Sequence, residues 1–319
     1  MAFPLALLKL LSDGLCHSGE SLGEALGMSR AGAWKQIQSL RQQGVEIDAV
    51  TGEGYRLPQP LELLDADSLQ ARLGAVYPHA QLIYAPVLGS SNQRVREHIE
   101  QQGLEHPVLA LCEYQEQGRG RRGRSWQAGF AQGVLLSVAM RVPCPAVQLG
   151  GLSLACGVEV AKALQLQGVS GLQLKWPNDL LLGTKKLGGI LIELSGETEG
   201  PCDVIVGLGL NVGAAPEGLG GDSLGAAHLP GFSRKQLTQL CAEALLRVLC
   251  KYAQQGFGAW QSDWQALHAH QGREVIIKQH QGDIAGVCLG VDGQGALRLA
   301  TAAGEQAFFA GDVSLRGAL

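Results

Sequence analysis

The spacing of apolar residues changes twice along this 319-residue chain. Residues 5–57 carry apolar positions at helical spacing and then a short alternating stretch, which predicts helices followed by two strands. Between about 62 and 256, apolar runs of strand length alternate with helical ones, and the rest of the chain consists of short strand-like runs separated by turns. The pattern therefore predicts three domains. Their expected bounds are 1–62, 63–269 and 270–319.

The first domain has the pattern of a winged helix-turn-helix. Two helices, expected over 20–26 and 30–43, are joined by a short turn at Gly27, and Ser29 stands where the second helix should begin. The runs VEIDAV and YRL then predict a two-stranded wing. The side chains at the start of the second helix are candidates to contact DNA phosphates or bases. These are Ser29, Arg30 and Lys35.

The second domain is expected to combine strands and helices. The predicted strands are 81–87, 107–114, 133–141, 171–176, 187–194 and 202–212. The predicted helices are 91–102, 148–167 and 233–255. Because consecutive strands are joined by short turns between the helices, an α+β domain with a mixed sheet is favoured over repeated βαβ units. The third domain is predicted to be a small all-β barrel or half-barrel.

Composition excludes several classes of protein. Hydrophobic residues make up 46% of the chain, which is too many for global disorder, and the net charge of −4 rules out a protein-wide polybasic surface. The eight cysteines are scattered and form no C-x-x-C, which indicates buried thiols in a reducing cytoplasm rather than disulfides or zinc ligands. His268 and His270 have no further ligand at metal-binding spacing. The apolar N-terminal run is short and contains Lys9, so it predicts an amphipathic helix, and no membrane association is expected.

Glycine is the unusual component, with 45 residues, about twice the average share. Part of this excess lies in Gly118–Trp126, GRGRRGRSW, where four arginines alternate with glycines. Arginine offers a planar fork for phosphate or carboxylate oxygens, and glycine lets the backbone approach a ligand. An RNA-binding RG tract or a solvated charge run is the alternative, but such tracts normally lie in low-complexity sequence, whereas this one lies between apolar strands. The glycine-rich stretch 213–231 is assigned no role.

The segment Lys175–Asp179, KWPND, follows a predicted strand. A lysine at a strand end beside Trp-Pro is expected to be partly desolvated and to face an anion. Asn178 and Asp179 could orient a nucleotide phosphate or a magnesium ion. The alternative is an ordinary surface turn.

Two other stretches are compatible with ligand binding. GLGLNVG at 207–213 fails the dinucleotide-binding motif, because Val212 stands where the third glycine should be. Its glycines are expected instead to allow close approach of a ligand or a neighbouring strand. Ser90, Ser91 and Asn92 begin a predicted helix, where they either cap it or converge with backbone N–H groups on a polar ligand.

Together these stretches resemble the bifunctional biotin protein ligases that also repress the biotin operon. The resemblance rests on SSN at 90–92, EYQEQGRGRRGRSW at 113–126, KWPNDLLL at 175–182, KKLGGILIEL at 185–194 and GLGLNV at 207–212. It extends to HSGESLGEALGMSR at 17–30, GEGYRLP at 52–58 and VDGQGALRL at 291–299. It covers essentially the whole chain and implies a winged helix-turn-helix, a central α+β ligase domain and a small SH3-like C-terminal β-barrel.

The resemblance also implies a two-step reaction and its partners. Biotin and Mg²⁺-ATP would form biotinyl-5′-AMP, and the biotinyl group would pass to a lysine of the biotin carboxyl carrier protein of acetyl-CoA carboxylase. Biotinyl-5′-AMP would also act as corepressor for a homodimer on operator DNA of the biotin operon.

The same resemblance assigns roles to residues. Implied catalytic residues are Lys175, Arg119 and Arg121. Implied biotin contacts are Ser90, Ser91, Asn92, Gln115, Arg119, Gly120, Arg121, Lys175, Gly189 and Gly207. Implied nucleotide contacts are Arg121, Trp126, Asn178, Lys186 and Asn211. Three positions depart from the family pattern: Ser91 stands where threonine is frequent, Ser125 replaces a frequent lysine, and Ala-Gly-Ala-Trp at 31–34 leaves the operator sequence open.

Three alternatives stay open from sequence. The winged helix could have lost repression, since residues 1–60 carry five basic and six acidic side chains. The ligase domain could sense biotin without turnover. A lipoate-type ligase would share the catalytic fold.

Overall fold

The computed structural model describes residues 3–196, 199–213, 226–278, 282–309 and 314–317, and the statements below refer to these residues. Most of the glycine-rich stretch 213–231, namely residues 214–225, lies outside them.

The N-terminal domain is a winged helix-turn-helix, as predicted. It consists of α1 (Leu5–Leu11), α2 (Gly19–Ala25), α3 (Arg30–Gln42) and a hairpin of β1 (Asp48–Val50) and β2 (Gly54–Arg56). The hydroxyls of Ser18 and Ser29 accept hydrogen bonds from backbone N–H groups in the first turns of α2 and α3, which explains where these helices begin. Tyr55 of the wing exchanges backbone hydrogen bonds with His17, so the wing is tied to the segment before α2.

The central domain is built on a seven-stranded mixed sheet. Its strands are β3 (Gln81–Leu88), β4 (Val108–Gln115), β5 (Gly133–Val142), β6 (Leu172–Lys175), β7 (Asp179–Leu182), β8 (Lys185–Gly196) and β9 (Cys202–Asn211). Their spatial order is β3-β4-β5-β9-β8-β7-β6. Only the β3–β4 pair is parallel among these described strands, so the predicted mixed sheet is confirmed.

Five helices accompany this sheet. They are α4 (Ala66–Val76), α5 (Ser91–Gln102), α6 (Leu152–Leu166), α7 (Arg234–Gln255) and α8 (Gln261–Leu267). The start predicted for α6, residue 148, was wrong. A separate 3₁₀ helix at Ala146–Leu149 comes first, and Gly150-Gly151 separate it from α6. The helix α4 and the strand β7 were not predicted.

The two faces of the central sheet differ in chemistry. On β9, Val204, Val206, Leu208 and Leu210 belong to the main apolar core, which they share with α6 and α7. Side chains alternate along a strand, so the residues between them lie on the opposite face. There Ile205 packs with residues of α5, and the positions that follow are glycine or polar: Gly207, Gly209 and Asn211.

The C-terminal domain is a five-stranded antiparallel sheet in the order β13-β12-β11-β10-β14. The strands are β10 (Glu274–Lys278), β11 (Ile284–Val291), β12 (Leu297–Thr301), β13 (Gly304–Phe308) and β14 (Ser314–Gly317). Its apolar side chains, including Val275 and Leu299, join the same core as the central sheet. The backbone N–H of Ala269 donates to the Leu174 carbonyl at 2.9 Å, so the chain joining the two domains lies along the edge strand β6.

Other sequence predictions concern the interior. Seven of the eight free cysteines are at least half-buried, and burial raises the pKa of Cys241 to about 12, as expected of inert core thiols. No helix in the described ranges is both long and apolar enough to cross a membrane.

Candidate functional site

The strand register brings distant motifs to one face of the central sheet. Lys175 lies opposite Asp179 on the neighbouring strand, Asp179 lies opposite Gly189, and Gly189 lies opposite Gly209. Directly opposed residues share a face of the sheet. The KWPND, KKLGG and GLGLN motifs therefore meet on the face that the main core leaves free.

A buried polar pocket lies at the start of α5. Ser91 and Asn92 are buried, and the hydroxyl oxygen of Ser137 on β5 lies 2.7 Å from Ser91 Oγ and 2.6 Å from Asn92 Oδ1. The Asn92 amide Nδ2 donates to Glu193 Oε2 at 2.9 Å. Glu193 is in turn paired with Arg96 at 3.0 Å, so the pocket is held in one arrangement by a connected network.

The helix cap at this pocket differs from the expected one. Ser90 occupies the N-cap position and is buried, but its side chain makes no capping hydrogen bond. Instead, Gln115 Oε1 accepts from the Ser91 N–H at 2.7 Å. The predicted biotin contacts Ser90, Ser91, Asn92 and Gln115 are thus brought together, and the Ser90 hydroxyl is not used for helix capping.

The glycines of β9 are approached closely by side chains of the protein itself. A β-carbon on Gly207 would overlap the amide of Asn92, and one on Gly209 would overlap the indole of Trp126. The glycines therefore form a flat floor on which Asn92 and Trp126 lie. The sequence predicted that a ligand or a neighbouring strand would approach these glycines. It did not predict that the side chains of Asn92 and Trp126 would lie against them.

The arginine-glycine loop is folded back on itself. Arg119 and Ser125 form an antiparallel bridge, and the Gly120 N–H donates to the Arg124 carbonyl at 2.6 Å. Arg121 is half-buried, and its Nη1 donates to Asn178 Oδ1 at 3.3 Å. The loop is thus joined directly to the KWPND segment, whereas the Arg119 side chain is exposed.

Desolvation lowers the pKa of Arg121, and the nearby Arg122 charge lowers it further. Arginine stays protonated in proteins, so Arg121 is a cation with reduced hydration. Such a cation interacts more strongly with a nearby anion than a solvated one does.

The KWPND segment is buried, so the surface-turn alternative is wrong. Lys175 is 7% exposed and Trp176 only 1%. The Trp176–Pro177 peptide bond is cis, and the Trp176 indole N–H donates to the Gly295 carbonyl of the C-terminal domain at 3.0 Å. Asn178 Nδ2 donates to the Ile190 carbonyl at 2.9 Å, which fixes the turn to β8.

Two buried polar atoms on this face have no hydrogen-bond partner. Asn211 donates through Nδ2 to the Ala227 carbonyl at 3.1 Å, but its Oδ1 has no donor, and the Trp126 Nε1–H has no acceptor. A buried unsatisfied group costs about 1–3 kcal/mol, so such groups in a folded protein require an explanation. A ligand that supplies a donor and an acceptor would satisfy both.

The charges around the site favour an anionic ligand. The carboxylate of Asp179 is paired with Lys186 at 2.8 Å, and that of Glu193 is neutralised by Arg96. Lys175 and the loop arginines add positive charge on the same side. Within the described part of the chain, no group of three or more His, Cys, Asp or Glu side chains could hold a metal ion.

Sequence reasoning missed Ser137 and Glu193. Both lie inside apolar strand runs, GVLLSVAMR and LGGILIEL. A single polar residue inside a buried strand is the signal that could have identified them, because buried polar groups require partners.

In the winged helix-turn-helix domain, the three predicted DNA contacts on α3 differ in their surroundings. Lys35 is exposed, Ser29 is committed to the helix cap, and the Arg30 side chain lies against Gly19 of α2. Arg41, further along, donates to the Ile47 carbonyl at 2.6 Å and so supports the base of the wing.

Comparison with known proteins agrees with this geometry. Residues 5–56, 84–211 and 270–316 match family models described as HTH domain, Biotin/lipoate A/B protein ligase family and Biotin protein ligase C terminal domain. The chain is 37% identical to the bifunctional ligase/repressor BirA of Salmonella typhimurium and 36% identical to that of Escherichia coli; each alignment covers 99% of this chain and 98% of the relative. The chain belongs to the bifunctional biotin ligase/repressor family.

The fold is also similar to a solved structure of a biotin protein ligase. The biotin protein ligase from Aquifex aeolicus in complex with biotin and ATP superposes with a TM-score of 0.62 and 25% identity, over 75% of this chain and 99% of that chain. Family membership confirms the resemblance seen in sequence and the fold class expected from it.

Proposed function

We propose that this protein is an ATP-dependent biotin protein ligase and a repressor of the biotin operon in one chain. In the first step a biotin carboxylate oxygen attacks the α-phosphorus of Mg²⁺-ATP, and the bond to pyrophosphate breaks, giving biotinyl-5′-AMP. In the second step the ε-amine of a lysine on the biotin carboxyl carrier protein of acetyl-CoA carboxylase attacks the acyl carbon, and AMP leaves.

The observation that carries this proposal is the convergence of Lys175 and Arg121 over one sheet face. The arginine loop reaches Asn178 at 3.3 Å, three residues from the buried lysine. Two anions must meet in the first step, and both cations are shielded from water, Lys175 because it is buried and Arg121 because it is half-buried. Lys175 would contact the carboxylate and α-phosphate oxygens, while Arg121 and Arg119 would retain the intermediate. Neither step needs a protein nucleophile.

The polar pocket suits the polar end of biotin. Ser90, Ser91, Asn92 and Gln115 present hydroxyl, amide and carbonyl groups; Ser137 and Glu193 already orient Ser91 and Asn92, and the Ser91 N–H holds the Gln115 amide oxygen. Preorganised groups bind without a further ordering cost. The backbone positions Gly120, Gly189 and Gly207 would complete the walls.

The nucleotide would lie beside Asn211 and Trp126. An adenine ring offers both a donor and acceptors, which match the Asn211 oxygen and the Trp126 N–H that lack partners. Asn178 and Lys186 flank this position. Mg²⁺ would arrive with ATP and neutralise phosphate charge, held mainly by phosphate oxygens and water, and Asp179 is the carboxylate placed to assist.

For repression, biotinyl-5′-AMP would act as corepressor and promote a homodimer. A two-fold dimer would match a palindromic operator, with Ser29, Arg30 and Lys35 contacting the duplex. The protein would act in the cytoplasm, where its carrier protein and its operator are present.

The enzymatic claim is tested by incubating the chain with Mg²⁺-ATP, biotin and a carrier domain, and measuring pyrophosphate release and carrier mass. Both should appear with biotin and neither with lipoic acid. Biotin binding without pyrophosphate release would indicate a biotin sensor that does not catalyse the reaction. Transfer of lipoic acid to the carrier would indicate a lipoate-type ligase.

Repression is tested separately by a footprint over the biotin operon with and without biotin and ATP. Protection that requires both is expected. An active ligase that leaves the operator unprotected would have lost repression.

A further inference from the structure

The recognition helix α3 exposes a tryptophan. Half of the Trp34 surface, 50%, is accessible to solvent, although tryptophan is on average a strongly buried residue. The opposite side of α3 is apolar, with Ala33, Ile37 and Leu40 buried in the domain core. Trp34 therefore lies outside the buried face of α3, and half of its surface is available to a partner.

The residues around Trp34 leave its indole uncovered. Ala31, one turn earlier, and Gln38, one turn later, are its neighbours on the helix surface. In the first turn Trp34 neighbours Ala31 and Arg30, whose side chain lies against Gly19 of α2, and helical side chains lean towards the N-terminus of their helix. The indole thus covers the first turn of α3, which is the end that enters the major groove in helix-turn-helix proteins.

The charge of this surface favours DNA over other partners. Residues 29–43 contain three basic and no acidic side chains. Arg41 is engaged with the Ile47 carbonyl, which leaves Arg30 and Lys35 on either side of the indole. An apolar ring flanked by two cations fits a groove whose edges are phosphates and whose floor offers one apolar group, the thymine methyl.

We propose that Trp34 is a specificity-determining residue that contacts thymine 5-methyl groups in the major groove of the operator. This inference rests on the proposed repressor function. Arg30 and Lys35 contact phosphates and set the position of α3, and they carry no sequence information by themselves. Trp34 selects thymine at one or two positions in each half-site.

The test begins with the full chain, biotin, Mg²⁺-ATP and a pool of DNA duplexes with a randomised centre. The enriched duplex is then resynthesised with deoxyuridine in place of each thymine in turn, which removes only the methyl group. At one or two thymines per half-site, the wild-type Kd should rise about three- to tenfold, comparable to a mild mismatch. Trp34→Ala should bind the parent duplex more weakly and should not respond to those substitutions, and Trp34→Phe should keep most of the response.

Leu166→Ala provides the matched control, because Leu166 is an exposed apolar residue at the end of α6. It should bind every duplex like the wild type, and the melting temperature of each variant reports whether it folds. A wild-type chain that is insensitive to every methyl group would overturn the inference without any variant. The inference would also be overturned if Trp34→Ala kept the wild-type sensitivity to thymine methyl groups. It would be overturned as well if the only effect of Trp34→Ala were a smaller fraction of dimer measured in the absence of DNA. If the wild type enriches no sequence at all, the proposed repressor function fails first.

Discussion

The substitution Gly207→Ala tests whether the glycine strand holds the biotin pocket in shape. A β-carbon at this position would lie 3.0 Å from Asn92 Cγ and 3.1 Å from Asn92 Nδ2, and closer still to Oδ1. The amide has to move, because β9 is paired on both sides and cannot. The displaced amide would lose its bonds to Glu193 and to Ser137.

The size of the effect follows from these two hydrogen bonds. Each is worth about 1 kcal/mol net, and a buried partner left unsatisfied costs about 1–3 kcal/mol. Part of this cost falls on folding and part on biotin binding, since the same amide is proposed to contact the ligand. A loss of about 2–3 kcal/mol in binding corresponds to a rise of about 30- to 150-fold in the KM for biotin.

The assay is ATP–pyrophosphate exchange with biotin and ATP varied separately, combined with thermal unfolding. The KM for biotin should rise by this factor, the KM for ATP should change little, and the melting temperature should fall by a few degrees. Gly74→Ala is the matched control, because nothing lies within 4 Å of its β-carbon and Gly74 is inside α4. It should stabilise the helix by about 0.5–1 kcal/mol and leave biotin binding unchanged. A Gly207→Ala enzyme with a wild-type KM for biotin would refute the role given to Asn92.

Three further predictions concern charge. Lys175→Ala should slow adenylation at least about 100-fold, as expected for the loss of transition-state charge stabilisation; a melting temperature reduced in proportion would make the lysine structural instead. Arg121→Gly removes the bond to Asn178 and should release biotinyl-5′-AMP, so that mass spectrometry finds biotin on lysines of an added bystander protein; labelling confined to the carrier would contradict this role. Burial lowers the pKa of His268 and of His270 to about 4, so the unfolded chain binds more protons between pH 6.5 and 4, and stability should fall as the pH falls through that window. Replacing both histidines with glutamine should flatten this dependence, and an equally steep dependence in that variant would contradict its assignment to them.

Elements with strong local signals were predictable from the sequence. The helix α5 has the predicted bounds, 91–102, and α7 begins after the Ser233 cap and ends before Gly256, which has a positive φ of 58°. In both cases a polar residue precedes the helix and a glycine follows it, and these preferences are local. At the start of α5, however, the Ser91 N–H is satisfied by Gln115 and not by the Ser90 hydroxyl.

Elements that depend on tertiary packing were not predictable. The helix α4 buries only Leu69 and Leu73, too few apolar positions for a clear helical period. The strand β7 is four residues long and adjoins the KWPND turn. The pair Lys175 and Asp179 belongs to a tight hairpin, but the pairing of β5 with β9, which brings Ser137 to the glycine strand, joins strands far apart in sequence, and no local pattern encodes it. The site residues were therefore found through motifs, whereas their arrangement required the fold.

Residues of all three domains lie next to the candidate site. The C-terminal domain holds Trp176, next to Lys175, through the Gly295 carbonyl. The N-terminal domain reaches the other side, where Phe3 stacks on Phe130 with ring centroids 5.6 Å apart, and Phe130 lies just beyond the arginine loop. The C-terminal domain contacts the residue next to Lys175, and the N-terminal domain contacts Phe130, which follows the loop that carries Arg121. Removing either domain would therefore leave an apolar surface exposed beside the site. The three domains predicted from the sequence therefore follow one another along the chain, while in space both flanking domains pack against residues beside the candidate site.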